Sequence, residues 1–168
     1  MSLSLQTMSV PIFVKTLGNL SAILDKAAAH ATAKKIDPSV LLNARLYPDM
    51  FPLIRQIQLA SDFAKGSVAR LAGQEPPKYE DTETTIGELQ ARIARTIDFM
   101  QSLNAAAFAG AETREISLKI RDTVQKYAGL PYLAHVALPN FFFHATTAYD
   151  ILRHNGVELG KRDFIGSV

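Results

Sequence analysis

Apolar residues recur at alternating three- and four-residue steps through four long stretches of the chain, the period of helices that each bury one face. In the first, about 9–35, the stripe is Val10, Phe13, Leu17, Leu20, Leu24, Ala27 and Ala31. Ser9 stands where an N-cap is wanted, and Pro11 sits in the first turn, where a missing N–H costs little. Asp37-Pro38 then predicts the start of a short helix through Leu41 and Leu42. The second stretch begins near Pro48-Asp49 and stops at Gly73, with Pro76-Pro77 beyond it. Its buried stripe reads Met50, Ile54, Ile57, Ser61, Ala64, Val68 and Leu71. Leu59 and Phe63 lie on the opposite side, one helical turn apart, and predict an outward apolar patch.

The third stretch, about 86–104, opens on Thr85-x-x-Glu88, a capping box. It buries Leu89, Ile93, Ile97, Met100 and Leu103, which leaves Phe99 pointing outward. The polar link before it, Gln74 to Thr84, is long enough for a crossover rather than a tight turn. From Glu115 to Arg121 the period changes to two, a strand, with Thr123 to Tyr127 as its hairpin partner. An isolated hairpin is marginal in water, so this one must lie on the helices or on a partner chain. The fourth helical stretch runs from Leu130-Pro131 to Asn155, interrupted at Pro139, and Gly156-Val157 reads as a Schellman stop. The tail carries Leu159, Phe164 and Ile165, which predicts that it packs back on the body. The expected fold is all-α: a four-helix bundle with a small β-hairpin inserted before the last helix.

Composition narrows the chemistry. The chain has 168 residues, enough for one domain over 1–168 that folds without a disulfide or metal staple. It has no Cys, which removes a disulfide framework, Cys-ligated zinc, Fe–S clusters and thiol catalysis by the chain itself. A net charge of +2 gives no footing for nucleic acid, and the basic pairs Lys34-Lys35 and Lys161-Arg162 lack interleaved aromatics. No apolar run approaches the length needed to span a bilayer. Residues Met1 to Met8 lack a basic targeting region, and Lys15 breaks the apolar run that follows. A soluble cytoplasmic protein without a membrane partner is expected.

Four histidines are present: His30, His135, His144 and His154. None forms a His-x-x-x-His pair, and His154 lies ~15 Å along a helix from His144, too far to share an ion. No G-x-S-x-G, P-loop or dinucleotide fingerprint occurs. Glu80, Asp81 and Glu83 fall in the polar link and read as a solvated loop cluster. His144 differs from the other histidines. Asn140, His144 and Thr147 share one side of the last helix within the apolar run Phe141-Phe142-Phe143. This is the pattern of a hydrogen-bonded core histidine, or of a ligand-binding or general-base group.

The last helix, Tyr132-Leu133-Ala134-His135 through Pro139-Asn140-Phe141-Phe142-Phe143-His144 to Arg153-His154-Asn155-Gly156, resembles the final helix of the DinB/YfiT-like superfamily. Within it, the chain resembles an uncharacterised bacterial domain-of-unknown-function family. The matching stretches are 17–20, 69–73, 138–141, 147–153 and 159–164, so the resemblance covers nearly the whole chain. It implies a four-helix bundle. In many relatives three histidines bind a divalent metal, two of them as His-x-x-x-His on the last helix and one from the second, and several relatives are thiol-dependent transferases or isomerases.

This chain departs from that pattern. Position 144 keeps His, but position 140 is Asn, and the second helix offers only Gln58, Ser61 and Asp62 as polar candidates. Amides are feeble ligands for zinc or nickel. The expected site is therefore degenerate, a polar pocket of Asn140, His144, Thr147, Gln58, Ser61 and Asp62 without a metal cofactor. The expected protein is non-catalytic or binds a small ligand, and Leu59, Phe63, Phe99 and the hairpin point to a homodimer. The alternatives are a metal-dependent transferase or hydrolase, with zinc or nickel held by His144, and a metal-free enzyme with His144 as general base.

Overall fold

The computed structural model describes residues 4–167; Met1, Ser2, Leu3 and Val168, the outermost ends of the expected domain, lie outside the described residues. Seven α-helices and one hairpin follow in the order α1 (Val10–Lys34), α2 (Pro38–Asn43), α3 (Leu53–Leu71), α4 (Ile86–Ser102), β1 (Glu115–Ile120), β2 (Thr123–Ala128), α5 (Gly129–Tyr132), α6 (Leu138–His154) and α7 (Lys161–Ile165). A 3-10 turn, Ala105–Phe108, precedes β1, and a π turn, Leu133–Ala137, joins α5 to α6. Among the described residues no helix is long and apolar enough to cross a membrane.

The four long helices pack in a closed ring: α1 against α4, α4 against α3, α3 against α6, and α6 against α1. Their buried stripes meet in one core, with Phe13, Leu17, Leu24, Ile57, Val68, Leu89, Ile93 and Phe141 fully or almost fully covered. Phe13 and Phe141 meet edge to face at 4.7 Å. Polar contacts give the directions. Gln90 of α4 bonds Ser21 and Asp25 of α1, while Gln6, just before α1, bonds the carbonyl of Leu103 beyond the end of α4. These two helices are antiparallel. Ser67 meets Tyr132 and Gln56 meets His144, so α3 and α6 are antiparallel too. By contrast Gln58 bonds Glu83 and Asp62 bonds Arg92, level with one another, so α3 and α4 run in parallel. The link 72–85 travels back along α3 before α4 begins, the crossover that its length predicts.

Helix ends follow local chemistry. Thr85 and Glu88 complete their capping box. Val157 N–H reaches Leu152 O and Gly156 N–H reaches Arg153 O, with Gly156 at φ +89, the Schellman pair of bonds. Ser9 precedes α1, but its hydroxyl donates backward to Leu5 O at 2.5 Å instead of capping. The second helix starts at Leu53, later than its stripe implies, and Met50 lies in the turn before it. Pro139 has no N–H to offer one turn back, and the π turn directly before it absorbs the mismatch, with Leu138 N–H on Leu133 O. The tail does return to the body: Asn19 holds Phe164 O at 2.9 Å, and Phe164 meets the Tyr149 ring.

Two expectations of outward apolar residues are corrected. Phe63 and Phe99 both pack against the core. Phe63 does so because α3 is flanked on two sides, and α6 covers the side that its own stripe leaves open.

The acidic link cluster is also not a free solvated loop. Arg92 of α4 has a fully covered guanidinium that meets Asp62 at 2.8 Å, Asp81 at 3.0 Å and Glu83 at 3.0 Å. Arg55 pairs with Asp81. The Tyr79 ring lies beneath Lys65, Arg92 and Arg95, with Arg95 3.7 Å from its centroid. Burial drives the Glu83 carboxyl up, but bonds from Arg92, its own backbone and Gln58 outweigh this and hold it below the ordinary value. The guanidinium thus ties the crossover to both helices that it joins. Replacing Arg92 with Met strands three carboxylates around an apolar stem. Because two of them reach solvent, the expected loss is about 3 kcal/mol, the lower end for breaking a buried pair. Thermal unfolding of Arg92→Met against Arg95→Met measures it; equal, small effects would contradict this role.

Candidate functional site

The expected site residues divide between two faces of α3. Gln58 donates to Glu83 at 2.9 Å, and Asp62 serves Arg92 and Lys65, so both face the crossover and α4. Ser61 is buried with its hydroxyl on Ile57 O. None of the three has a polar contact with His144 among the described residues. On α6, Asn140 donates to Val136 O and Thr147 to Phe143 O, both at 2.7 Å, so each is bound to its own helix.

His144 is brought instead to Gln56, which sequence reasoning did not single out. Its Nδ1 lies 2.7 Å from Gln56 Oε1, and both side chains are buried. The Gln56 amide nitrogen donates to Phe51 O at 3.1 Å. A carbonyl only accepts, so this bond fixes which end of the amide faces His144. The end presented is Oε1, also acceptor-only, so Nδ1 must carry the proton. The other ring nitrogen, Nε2, then bears the lone pair. It has no partner among the described residues and is not sealed from solvent.

Aromatic rings frame it. Phe63 stacks on His144 with centroids 5.5 Å apart and planes 20° from parallel. Phe143 meets it edge-on at 5.3 Å and is itself 56% exposed. Phe51, before α3, is 53% exposed. Burial, and then the nearby charge of Arg55, push the imidazole below its ordinary value of 6.5. His144 is therefore a neutral, oriented acceptor at the edge of an apolar rim. The signal available in sequence was a second stripe on α3, Gln56, Ala60, Phe63 and Ser67, at helical spacing opposite Gln58 and Asp62.

The other histidines stand apart from this place: His135 and His154 are exposed and His30 is half-buried. Among the described residues no three His, Cys, Asp or Glu side chains converge as metal ligands. The donor set does not fit a three-imidazole centre. One imidazole is present, Asn140 turns its amide to its own helix, and Gln56 spends its oxygen on Nδ1.

The chain matches the family model described as Domain of unknown function (DUF1993) over residues 5–165. It is also similar to a crystal structure of a DinB family member protein from Shewanella denitrificans. The two share 48% identity and a TM-score of 0.93 over 98% of this chain and 93% of that one. No curated protein matches the chain.

The lowered imidazole has a stability consequence with a definite sign. The unfolded chain takes a proton on His144 near pH 6.5 and the folded chain resists it, so stability is present above that pH and lost as pH falls through it. Melting curves between about pH 7 and about pH 5 should show a smaller fall in His144→Gln than in the unmodified chain, since Gln donates to Gln56 without titrating. Equal falls would contradict a neutral His144.

Proposed function

The chain belongs to the DUF1993 family, and on that footing we propose that it is a cytoplasmic, homodimeric DinB-like four-helix bundle whose degenerate metal site takes a small organic ligand without catalysis. The observation that supports the reading is the unpartnered Nε2 of His144, on a ring that Gln56 holds with its proton on Nδ1. Such a nitrogen takes a hydrogen bond from a ligand O–H or N–H. Phe63 and Phe143 offer flat apolar surface beside it. Burial, and then Arg55, make a positive charge on the ring unfavourable, so a ligand donor keeps its proton when it binds there, and an uncharged donor suits the apolar surroundings best. The class that fits is a small, flat, mainly apolar molecule with one hydrogen-bond donor.

Four elements make the bundle in this reading, α1, α3, α4 and α6. Its dimeric part rests on the hairpin, where Glu115, Ser117 and Lys119 of β1 are exposed. The alternative, a metal-dependent transferase or hydrolase, has one observation in its favour, the same open nitrogen.

Two measurements decide. Titration of indole, a flat molecule with one N–H, should give saturable NMR shifts at His144 and Phe63 that vanish in His144→Ala. Diffuse shifts indifferent to that substitution would overturn the ligand reading. Elemental analysis should find neither zinc nor nickel in stoichiometric amount; a full equivalent lost in His144→Ala would favour the metal-dependent alternative.

A further inference from the structure

The hairpin has an edge whose chemistry is self-complementary. Ile120 and Thr123 flank a two-residue turn, Arg121-Asp122, and Arg121 is at φ +55. Residues flanking such a turn exchange backbone hydrogen bonds, and the pattern alternates from there. Leu118 with Gln125 and Ile116 with Tyr127 are then the bonded pairs. The N–H and C=O groups of Glu115, Ser117 and Lys119 therefore point away from β2. No backbone hydrogen bond from these three to another segment occurs among the described residues. All three side chains are exposed, while Ile116, between them, is buried against the body. The edge carries neither proline nor a bulge, two of the usual protections against pairing, and its charges, Glu115 and Lys119, are of opposite sign, so they do not repel a second copy of the same edge. Beside it lies a depression of about 420 Å³ bordered by Arg70 and Gln74 to Pro76.

The charge pattern selects the partner. Glu115 and Lys119 are placed symmetrically about Ser117. If a second β1 approaches antiparallel with Ser117 on the two-fold axis, each Glu115 stands opposite a Lys119 and all outward backbone groups find partners. A two-fold axis requires this kind of self-complementarity. The β2 edge has no such pattern, since Lys126 is its one charged residue; Lys126 also reaches Glu115 at 2.9 Å, so in the pairing each exposed Glu115 carboxylate lies between Lys126 of its own hairpin and Lys119 of the other copy. We infer that β1 pairs with β1 of a second copy of this chain, forming a continuous four-stranded sheet across the subunits. This inference rests on the homodimer proposed above and names the surface that forms it.

The absence of cysteine makes the test clean. Ser117→Cys should form a disulfide-linked dimer on mild oxidation, because directly opposed bonded residues lie about 5.5 Å apart at Cα. Val124→Cys, on the other strand, should not. Ser117→Pro removes one outward N–H and no bond to β2, and light scattering should show it as a monomer. Lys119→Glu sets like charges opposite one another twice and should weaken association roughly tenfold. Glu115→Lys combined with Lys119→Glu should restore it. A strict monomer for the unmodified chain at high micromolar concentration would overturn the dimer and this surface together. A dimer that is indifferent to Ser117→Pro and does not cross-link through Ser117→Cys would overturn this surface alone.

Discussion

Helix α3 is covered along most of its surface, with Arg55 and Asp62 only about one-third exposed. Beyond the core that it faces, it is flanked on two sides, by the crossover with α4 and by α6, so most of its polar side chains are paired within the protein. Everything specific about the structure follows from how that demand is met. Gln58, Asp62 and Lys65 answer it toward α4, around the guanidinium of Arg92. Gln56 and Ser67 answer it toward α6, on His144 and Tyr132. A buried charge with partners missing costs several kcal/mol, so the Arg92 side specifies the position of the crossover closely. Even so Arg92 Nε lacks a hydrogen-bond partner, and of the buried side-chain nitrogens and oxygens described it is the one in that state.

On the other side a short run of constraints ends in chemistry. The carbonyl of Phe51 orients the Gln56 amide, the amide oxygen claims the proton of His144 Nδ1, and Nε2 is left as the basic nitrogen. Burial and Arg55 keep the ring neutral. In metal sites an acceptor hydrogen-bonded to the far nitrogen of an imidazole orients it in the same way. Among the described residues no second imidazole stands beside His144, and the arrangement is an oriented acceptor beside aromatic rings. Helices α3 and α6 are joined by packing along their length and by hydrogen bonds at Gln56 and Ser67.

The helical elements were readable because their signals are local. Periodic Leu, Ile and Phe positions mark α1, α3, α4 and α6, and the capping box at Thr85 and the glycine stop at Gly156 mark two of their ends. The hairpin showed itself through its change of period. Side-chain pairing across helices was not readable. Gln56 looks like any polar helix residue until α6 is laid against it, and Asp81 and Glu83 look like loop acids until the crossover folds back onto Arg92. Phe63 was expected outside for the same reason, since one stripe of apolar residues says nothing of a second neighbour. His144 could be singled out from its apolar surroundings on one helix, but the identity of its partner could not.

The central claim is the protonation state of one ring, and long-range 1H–15N correlation NMR reads it directly. Near neutral pH His144 should be neutral with the proton on Nδ1 and Nε2 unprotonated, and that equilibrium should shift in Gln56→Ala. A ring protonated on Nε2, or one that titrates at or above the ordinary histidine value, would contradict it.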